Sequence, residues 1–259
     1  MRKLIIIISI MIASSALLLG GIRCHSYYQF AANNEMIYNG SSSKNDTFKV
    51  AFIGDSWAAY HVANDTYLQS FLSDFGEPVL VKSKGNVGAK SKEIYERLFT
   101  TTKPLLEWHP DYCVISAGIN DAVAKIGKDY YVHHYMLILQ QLVDMGIKPV
   151  VLEMPEVNYR AIASREPWTM RMRHLLSSLV TDSELDGFVS YKTALMSAIR
   201  MAGLQSCIVY VSANSWNTDG FRDVRNLYLS DETHLNARGY EVLDSCISSE
   251  ILKDIWKKQ

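Results

Sequence analysis

Several features that mark specialised classes of protein are missing from this sequence. Its 259 residues include 26 Lys and Arg against 27 Asp and Glu, so it has no basic excess with which to neutralise nucleic-acid phosphates. Four cysteines are too few for a disulfide scaffold. No internal repeat indicates a solenoid, and no phosphate-binding or dinucleotide-binding glycine motif is present. What remains is an ordinary globular composition, with 48% hydrophobic residues.

The N-terminal segment differs from the rest of the chain because no residue from Leu4 to Ile22 is charged. As a helix this run would be about 28 Å long, close to the hydrocarbon thickness of a bilayer. Arg2 and Lys3 form a basic flank that is expected to stay in the cytoplasm. We therefore predict that residues 1–26 are an export signal that associates with the membrane, and we favour an uncleaved anchor over a cleaved signal peptide.

Two alternatives for this segment stay open. A cleaved signal would make the mature protein periplasmic or secreted, although the small residues 13–16 lie inside the apolar run. A lipid-modified Cys24 is the other alternative, but Arg23 stands where a small residue is expected. In each case the rest of the chain lies outside the cytoplasm. Residues 27–47 are polar and predict a linker.

From residue 48 onward, short apolar runs that end at turns alternate with helical patterns. This alternation predicts a parallel sheet covered by helices on both faces, in a domain that spans residues 48–259. In such α/β sheets, function gathers at the carboxyl ends of the strands. The predicted strands are 48–54, 78–81, 111–117, 148–154 and 207–211, and the predicted helices are 57–75, 91–101, 129–145, 168–182, 192–202 and 236–256.

Gly54-Asp55-Ser56 stands directly after the first predicted strand. Ser56 would lie at a strand-to-helix turn, with its hydroxyl above the sheet and the free N–H groups of a helix N-terminus beside it. That position suits a serine nucleophile and the oxyanion that it generates. Taken alone, the motif is better explained by a helix cap.

Asp231 and His234 stand three residues apart in the segment 229–236. One helical turn would bring both side chains to the same side. A carboxylate there can hold one imidazole nitrogen and leave the other as a general base. By itself, the pair is also typical of a surface acid and a capping residue ahead of the last helix.

Two further segments come directly after the ends of predicted strands. Asn120 follows the third strand, where its side chain can donate an N–H to an oxyanion. Gly88 follows the second strand and could present a backbone N–H to the same oxyanion, with Gly85 as its rival. Asparagine and glycine are both common turn residues, so neither segment is specific alone.

In this order, Ser56, Gly88, Asn120 and His234 resemble the four blocks of the SGNH hydrolases, also called GDSL esterases and lipases. The resemblance covers roughly residues 48–250. It implies a flavodoxin-like fold, a three-layer α/β/α sandwich whose mainly parallel sheet has roughly five strands.

The resemblance also implies an activity, the hydrolysis of a carbohydrate O-acyl ester or a lipid ester. Ser56 would be the nucleophile, His234 the base and Asp231 the residue that orients it. Ser56, Gly88 and Asn120 would form the oxyanion hole. Neither a metal nor an organic cofactor is implied.

The same residues leave two alternatives open. The acyl-enzyme could pass its acyl group to a sugar hydroxyl, which would make the protein an O-acetyltransferase for an envelope or extracellular polysaccharide. A binding module without catalytic activity is the other alternative, and the intact set of residues argues against it. The chain departs from the family at Trp57, which replaces the leucine of the Gly-Asp-Ser-Leu motif.

Overall fold

A computed structural model describes residues 2–31, 47–61, 65–73, 78–181, 187–217 and 222–257. A five-stranded sheet forms the centre of the domain, and all its neighbouring strands are parallel. The strands are β1 (Phe48–Gly54), β2 (Val79–Gly85), β3 (Tyr112–Ser116), β4 (Lys148–Leu152) and β5 (Val209–Val211). Their order across the sheet is β2-β1-β3-β4-β5. The prediction of a parallel α/β sheet with five strands is confirmed.

Helices cover both faces of this sheet. The described helices are α1 (Arg2–Ala31), α2 (Ser56–His61), α3 (Asp65–Ser73), α4 (Ser91–Arg97), α5 (Lys103–Leu106), α6 (Ile119–Val123), α7 (Lys128–Asp144), α8 (Tyr159–Arg165), α9 (Trp168–Thr181), α10 (Phe188–Met201) and α11 (Ala237–Trp256). Helices α2, α3 and α11 pack together on one side, and α4, α7 and α10 pack together on the other.

The central strands are apolar along almost their whole length because helices cover them on both sides. Every residue of β3 is buried, and so are the last four residues of β4. In β1, Val50 to Ile53 are completely inaccessible to solvent. These strands hold the core and give the functional loops a rigid base.

Strand β2 is longer than the predicted run 78–81. It continues to Gly85, which pairs with Gly54 of β1. Lys82 and Lys84 end the apolar pattern, but both side chains alternate outward from an edge strand, where lysine is well tolerated. The hydrophobic pattern therefore marked the buried half of the strand, and backbone pairing with β1 supplied the rest.

Within the predicted helix 57–75 the structure describes two helices, α2 and α3, and residues 62–64 between them lie outside the described part of the chain. The short helices α5, α6 and α8 were not predicted, since four to seven residues are too few to establish a helical period.

The strand order creates a crevice at one edge of the sheet. From β1 the chain continues to β2 on one side, and it then returns to β3 on the other side of β1. The connections that leave β1 and β3 therefore diverge at their carboxyl ends. Ligands of open α/β sheets bind at such a switch point.

Helix α1 covers the predicted export segment 1–26. Its described side chains are exposed, for example Leu4 at 61% and Ile12 at 65%, so they form no part of the core. Among the described residues, no helix is long and apolar enough to cross a membrane. Most of the predicted linker, residues 32–46, lies outside the described part of the chain.

Candidate active site

Ser56 lies at the carboxyl end of β1 as the first residue of α2. Gly54 precedes it with a φ of +145°, and a Cβ atom on Gly54 would lie 2.0 Å from the main-chain oxygen of Ser116. Only glycine allows this close approach. The N–H of Asp55 donates to the same oxygen at 3.1 Å. The ends of β1 and β3 are thus held together, and Ser56 stands over the crevice.

Asp231 and His234 lie beside Ser56. His234 Nε2 is 2.9 Å from Ser56 Oγ, and His234 Nδ1 is 2.6 Å from Asp231 Oδ2. When Nδ1 carries the proton and donates a hydrogen bond to the carboxylate, the lone pair of Nε2 faces the serine hydroxyl. The structure therefore joins the first and last sequence blocks in one hydrogen-bonded line.

The expected helical turn is not what brings Asp231 and His234 together. Glu232 between them has a φ of +54°, which no α-helix contains. Instead, Asp231 Oδ1 accepts the main-chain N–H groups of Thr233 at 3.0 Å and His234 at 2.9 Å. This is the local carboxylate turn that Asp favours. One side chain thus shapes the loop and orients the imidazole.

The electrostatics of Asp231 suit an ionised partner for His234. Partial burial acts to raise the pKa of Asp231, but hydrogen bonds from His234 and Thr233 outweigh burial and hold the pKa below its usual value. An ionised carboxylate can stabilise the imidazolium that forms when Nε2 accepts a proton. The three groups in hydrogen-bonding contact are therefore a carboxylate anion, an imidazole and a hydroxyl.

The two rival glycines after β2 have different surroundings. A Cβ atom on Gly85 would lie 2.2 Å from the main-chain nitrogen of Ala59, so this glycine lets β2 pack against α2. Gly88 has a φ of +75°, and apart from its chain neighbours no atom of the described residues lies within 4 Å of its Cβ position. Gly88 therefore occupies an open turn where a ligand can approach the backbone.

Asn120 lies in α6, directly after the carboxyl end of β3. Its Nδ2 donates to the main-chain oxygen of Ala89 at 3.0 Å, next to Gly88. An amide nitrogen carries two hydrogens, so one is left for a ligand after this bond is made. The structure thus brings together the second and third sequence blocks.

Ser91 and Asp121 connect these two blocks, and the sequence interpretation gave neither of them this role. The buried Asp121 accepts the main-chain N–H of Ser91 at 3.0 Å and its hydroxyl at 2.6 Å. Burial raises the pKa of Asp121 to about 6, although the Ser91 bonds act against this rise. Ser91 stands three residues after Gly88, and this Gly-x-x-Ser spacing is the signal in the sequence that could have found it.

Asp55 is buried beneath Ser56. Its Oδ1 accepts the N–H of Trp57 at 3.0 Å and the hydroxyl of Ser116 at 3.1 Å. Burial raises the pKa of Asp55 to about 7 despite these two bonds. These two hydrogen bonds stabilise the turn that carries Ser56. Neither of them involves Ser56 Oγ or His234.

We expect Asp55→Asn to flatten the pH dependence of stability. The folded state binds the Asp55 proton more tightly than the unfolded chain, so the free energy of unfolding falls as the pH rises from about 4 to about 7. Asparagine keeps the accepting oxygen and does not titrate. Over this pH range, the difference between wild type and variant should change by about 2–4 kcal/mol.

Urea unfolding at pH 4, 5.5 and 8 measures this difference. Asp144→Asn, which removes an exposed carboxylate, is the control and should follow the wild type at every pH. Parallel curves for wild type and Asp55→Asn would show that Asp55 titrates normally in the folded state.

Polar and aromatic groups surround the loop of His234. The ring of Tyr60 is edge-on to His234 with centroids 5.0 Å apart, and Tyr60 is 41% exposed. Asn158 Nδ2 donates to Glu232 Oε2 at 2.7 Å, and Arg165 donates to the main-chain oxygen of Asp231. In the described ranges, no three His, Cys, Asp or Glu side chains cluster as metal ligands.

Comparison with known proteins agrees with this geometry. The model of the GDSL-like lipase/acylhydrolase family matches residues 52–242, a range that contains all five predicted site residues. Among curated proteins, no sequence matches the chain.

Solved structures share the fold at low sequence identity. A lipase/acylhydrolase from Enterococcus faecalis is 18% identical, with a TM-score of 0.58 over 79% of this chain and 95% of its own. A GDSL-like lipase from Bacteroides thetaiotaomicron is 17% identical, with a TM-score of 0.54 over 89% and 97%. An acetyl xylan esterase is 19% identical, with a TM-score of 0.55 over 80% and 98%. These similarities show a common fold.

Proposed function

Because this chain belongs to the GDSL-like lipase/acylhydrolase family of ester-hydrolysing enzymes, we propose that Ser56, His234 and Asp231 are its catalytic triad. The observation that carries the proposal is the continuous line of contacts, 2.9 Å from Ser56 Oγ to Nε2 and 2.6 Å from Nδ1 to the carboxylate. Both distances lie within the reach required of a nucleophile, its base and the group that orients the base.

The reaction follows from these contacts. Ser56 Oγ attacks the ester carbonyl while its proton passes to His234 Nε2, and Asp231 stabilises the imidazolium. His234 then gives the proton to the leaving alcohol, which leaves the acyl group on Ser56. A water molecule then attacks the acyl-enzyme as His234 takes its proton, and the bond between the acyl carbon and Ser56 Oγ breaks as His234 returns a proton to Oγ, which releases the acid and restores the free serine.

The oxyanion of each tetrahedral intermediate needs hydrogen-bond donors. We assign this role to the backbone N–H groups of Ser56 and Gly88 and to the Nδ2 of Asn120. The bond from Asn120 to Ala89 supports the assignment, because it holds the amide beside the Gly88 turn. Donors that are already in place act without reorganisation when charge develops.

Asn120→Ala should lower kcat by about 10²–10³-fold with a smaller change in KM, as expected for the loss of one preorganised donor. Steady-state kinetics on a chromogenic ester measure the two constants separately. Asn120→Asp has nearly the same shape but no N–H donor, and it should lose at least as much. If kcat is unchanged in both folded variants, Asn120 only shapes the turn.

We propose short-chain acyl esters of carbohydrates as the substrates. The groups around His234 are an exposed tyrosine ring and a polar network of Asn158, Glu232 and Arg165, which suit sugar hydroxyls better than an alkyl chain. An acetyl xylan esterase among the solved structures covers 80% of the chain with the same fold. Lipid esters and transfer to a sugar acceptor are the competing outcomes.

A series of p-nitrophenyl esters of increasing chain length tests this choice. We expect the highest kcat/KM for the acetate and a steady fall as the acyl chain lengthens. A maximum at long chains would overturn the carbohydrate proposal in favour of a lipid ester. Mass spectrometry of products from an acetylated oligosaccharide and an unmodified acceptor sugar separates hydrolysis from transfer, since only transfer acetylates the acceptor.

For location, we propose that residues 1–26 direct export and hold the domain at the membrane on its non-cytoplasmic side. The uncharged run Leu4–Ile22 with its basic flank supports this, as do the exposed side chains of α1. The proposed catalytic residues all follow residue 55, so this segment is not needed for the chemistry.

Deletion of residues 1–26 should therefore release an active enzyme from the membrane fraction. The full chain should remain with the membranes after carbonate extraction, with its N-terminus intact. A mature N-terminus between Ala16 and Ser26 and fully soluble activity would instead show a cleaved signal peptide. A modified Cys24 at that terminus would show a lipoprotein.

A further inference from the structure

Trp57 is the departure from the family motif, and its side chain is not on the surface. It is 2% exposed. Its Nε1 donates to the main-chain oxygen of Thr233 at 3.2 Å. Trp57 directly follows Ser56, and Thr233 directly precedes His234. This hydrogen bond therefore joins the neighbours of the two residues between which the proton must move. A leucine has no group that can make it.

A second hydrogen bond joins Trp57 to helix α11. The hydroxyl of Tyr240 in α11 donates to the main-chain oxygen of Trp57 at 2.9 Å, and Tyr240 is itself buried. Helix α11 begins at Ala237, shortly after His234. The backbone of Trp57 and its indole are thus both tied to the segment that carries His234. We call these two bonds the Trp57 clamp.

The contacts at the far end of α2 keep this helix in place. His61 Nε2 is 3.0 Å from both carboxylate oxygens of Asp244 in α11, and both side chains are fully buried. Helix α2 therefore cannot easily slide or tilt relative to α11. The clamp acts at the end nearest to Ser56, where a small movement changes the distance to His234 most directly.

Trp216 is a useful comparison for Trp57, because the two indoles pack against each other. The two rings are T-shaped with centroids 5.6 Å apart, and Trp216 is also fully buried. Its Nε1 has no hydrogen-bond partner in the part of the chain that the structure describes. The two tryptophans are therefore alike in burial and packing but differ in whether the N–H is bonded.

We propose that Trp57 is a positioning residue, which sets the distance between Ser56 and His234 through the Trp57 clamp. The inference rests on the proposed Ser56–His234 chemistry. The leucine of the family motif can pack at this position but cannot bond to the His234 loop. In this chain the loop is therefore held by a bond from the residue next to the nucleophile, and the catalytic step gains from it while substrate binding does not.

Trp57→Phe and Trp216→Phe form the matched pair that tests this. Each removes an indole N–H and leaves a similar cavity, but only the first breaks the clamp. We expect kcat to fall roughly 10-fold in Trp57→Phe with KM within about twofold, because small misplacements of reacting groups are costly. Trp216→Phe should keep kcat within about twofold. Equal losses in the two variants would mean that Trp57 only packs, and would overturn the proposal.

A spectroscopic measurement needs no turnover and so separates this proposal from the proposed function. The ¹⁵N chemical shift of His234 Nε2 reports the hydrogen bond that it accepts from Ser56. It should move in Trp57→Phe toward the value in Ser56→Ala, and stay at the wild-type value in Trp216→Phe. An unmoved shift in folded Trp57→Phe would overturn the clamp even if the enzyme hydrolyses esters.

If Trp57→Phe does not fold, Tyr240→Phe tests the proposal instead, because it removes only the hydroxyl that donates to the main-chain oxygen of Trp57. It should lower kcat about threefold without raising KM, and displace the Nε2 shift in the same direction. Wild-type kcat and an unmoved shift in that variant would overturn the proposal.

Discussion

Ser56→Ala is expected to lower kcat on an ester substrate by about 10⁴–10⁶-fold, the loss that follows removal of a triad nucleophile. The Ser56 hydroxyl is the atom that forms the bond to the acyl carbon, so no neighbouring group can replace it. KM should change little, since the proposed oxyanion donors and the groups around His234 remain. Stopped or extended-time assays of purified variant and wild type at equal concentration measure the effect.

Folding should survive this change. Ser56 is 6% exposed and its Oγ contact is with His234, so the alanine leaves only a hydroxyl-sized gap. The exposed Ser73→Ala is the control and should keep full activity. A fluorophosphonate probe should label the wild type and Ser73→Ala but not Ser56→Ala. If folded Ser56→Ala kept most of the activity or the label, the nucleophile would be another residue.

Several predicted site residues could be expected near one another from the sequence alone, and the reason is physical. Residues at the ends of parallel strands meet at one edge of the sheet, whatever the lengths of the helices between them. Ser56, Gly88 and Asn120 were expected at that edge on this ground, whereas the pairing of Ser56 with His234, 178 residues away, came from the resemblance to the SGNH hydrolases.

What the sequence could not supply were contacts made after the chain had folded. Asp231 reaches His234 through a turn that its own carboxylate closes, where a helical turn was expected. The hydrogen bond from Trp57 to Thr233 joins residues 176 positions apart, and nothing in the pattern of either segment reveals it. Such pairs become visible only when the surrounding packing fixes where each side chain points.

The same limit explains why the predicted β2 was too short. Lys82 and Lys84 break the apolar alternation, yet backbone pairing with β1 carries the strand past them. A tertiary partner, and not a local preference, therefore decides where this strand ends.

Asp231→Asn should reduce kcat by about 10⁴-fold while preserving the shape of the loop. The asparagine Oδ1 can still accept the N–H groups of Thr233 and His234, so the turn should remain closed. The amide nitrogen, however, now donates toward Nδ1 of His234. The imidazole must then carry its proton on Nε2, where it can no longer accept the proton of Ser56.

This variant keeps the imidazole of His234 but removes the carboxylate that fixes its tautomer. Because the wild-type carboxylate is ionised well below neutral pH, a comparison of the variant with wild type at pH 8 measures the loss of a charged partner. Glu250→Gln removes another carboxylate, one that pairs with Lys253 at 2.7 Å on α11, and it should leave kcat within about twofold of wild type. If Asp231→Asn retained a tenth or more of the wild-type kcat, His234 would not depend on Asp231 for its tautomer. The hydrogen bond at 2.6 Å would then serve only to close the turn.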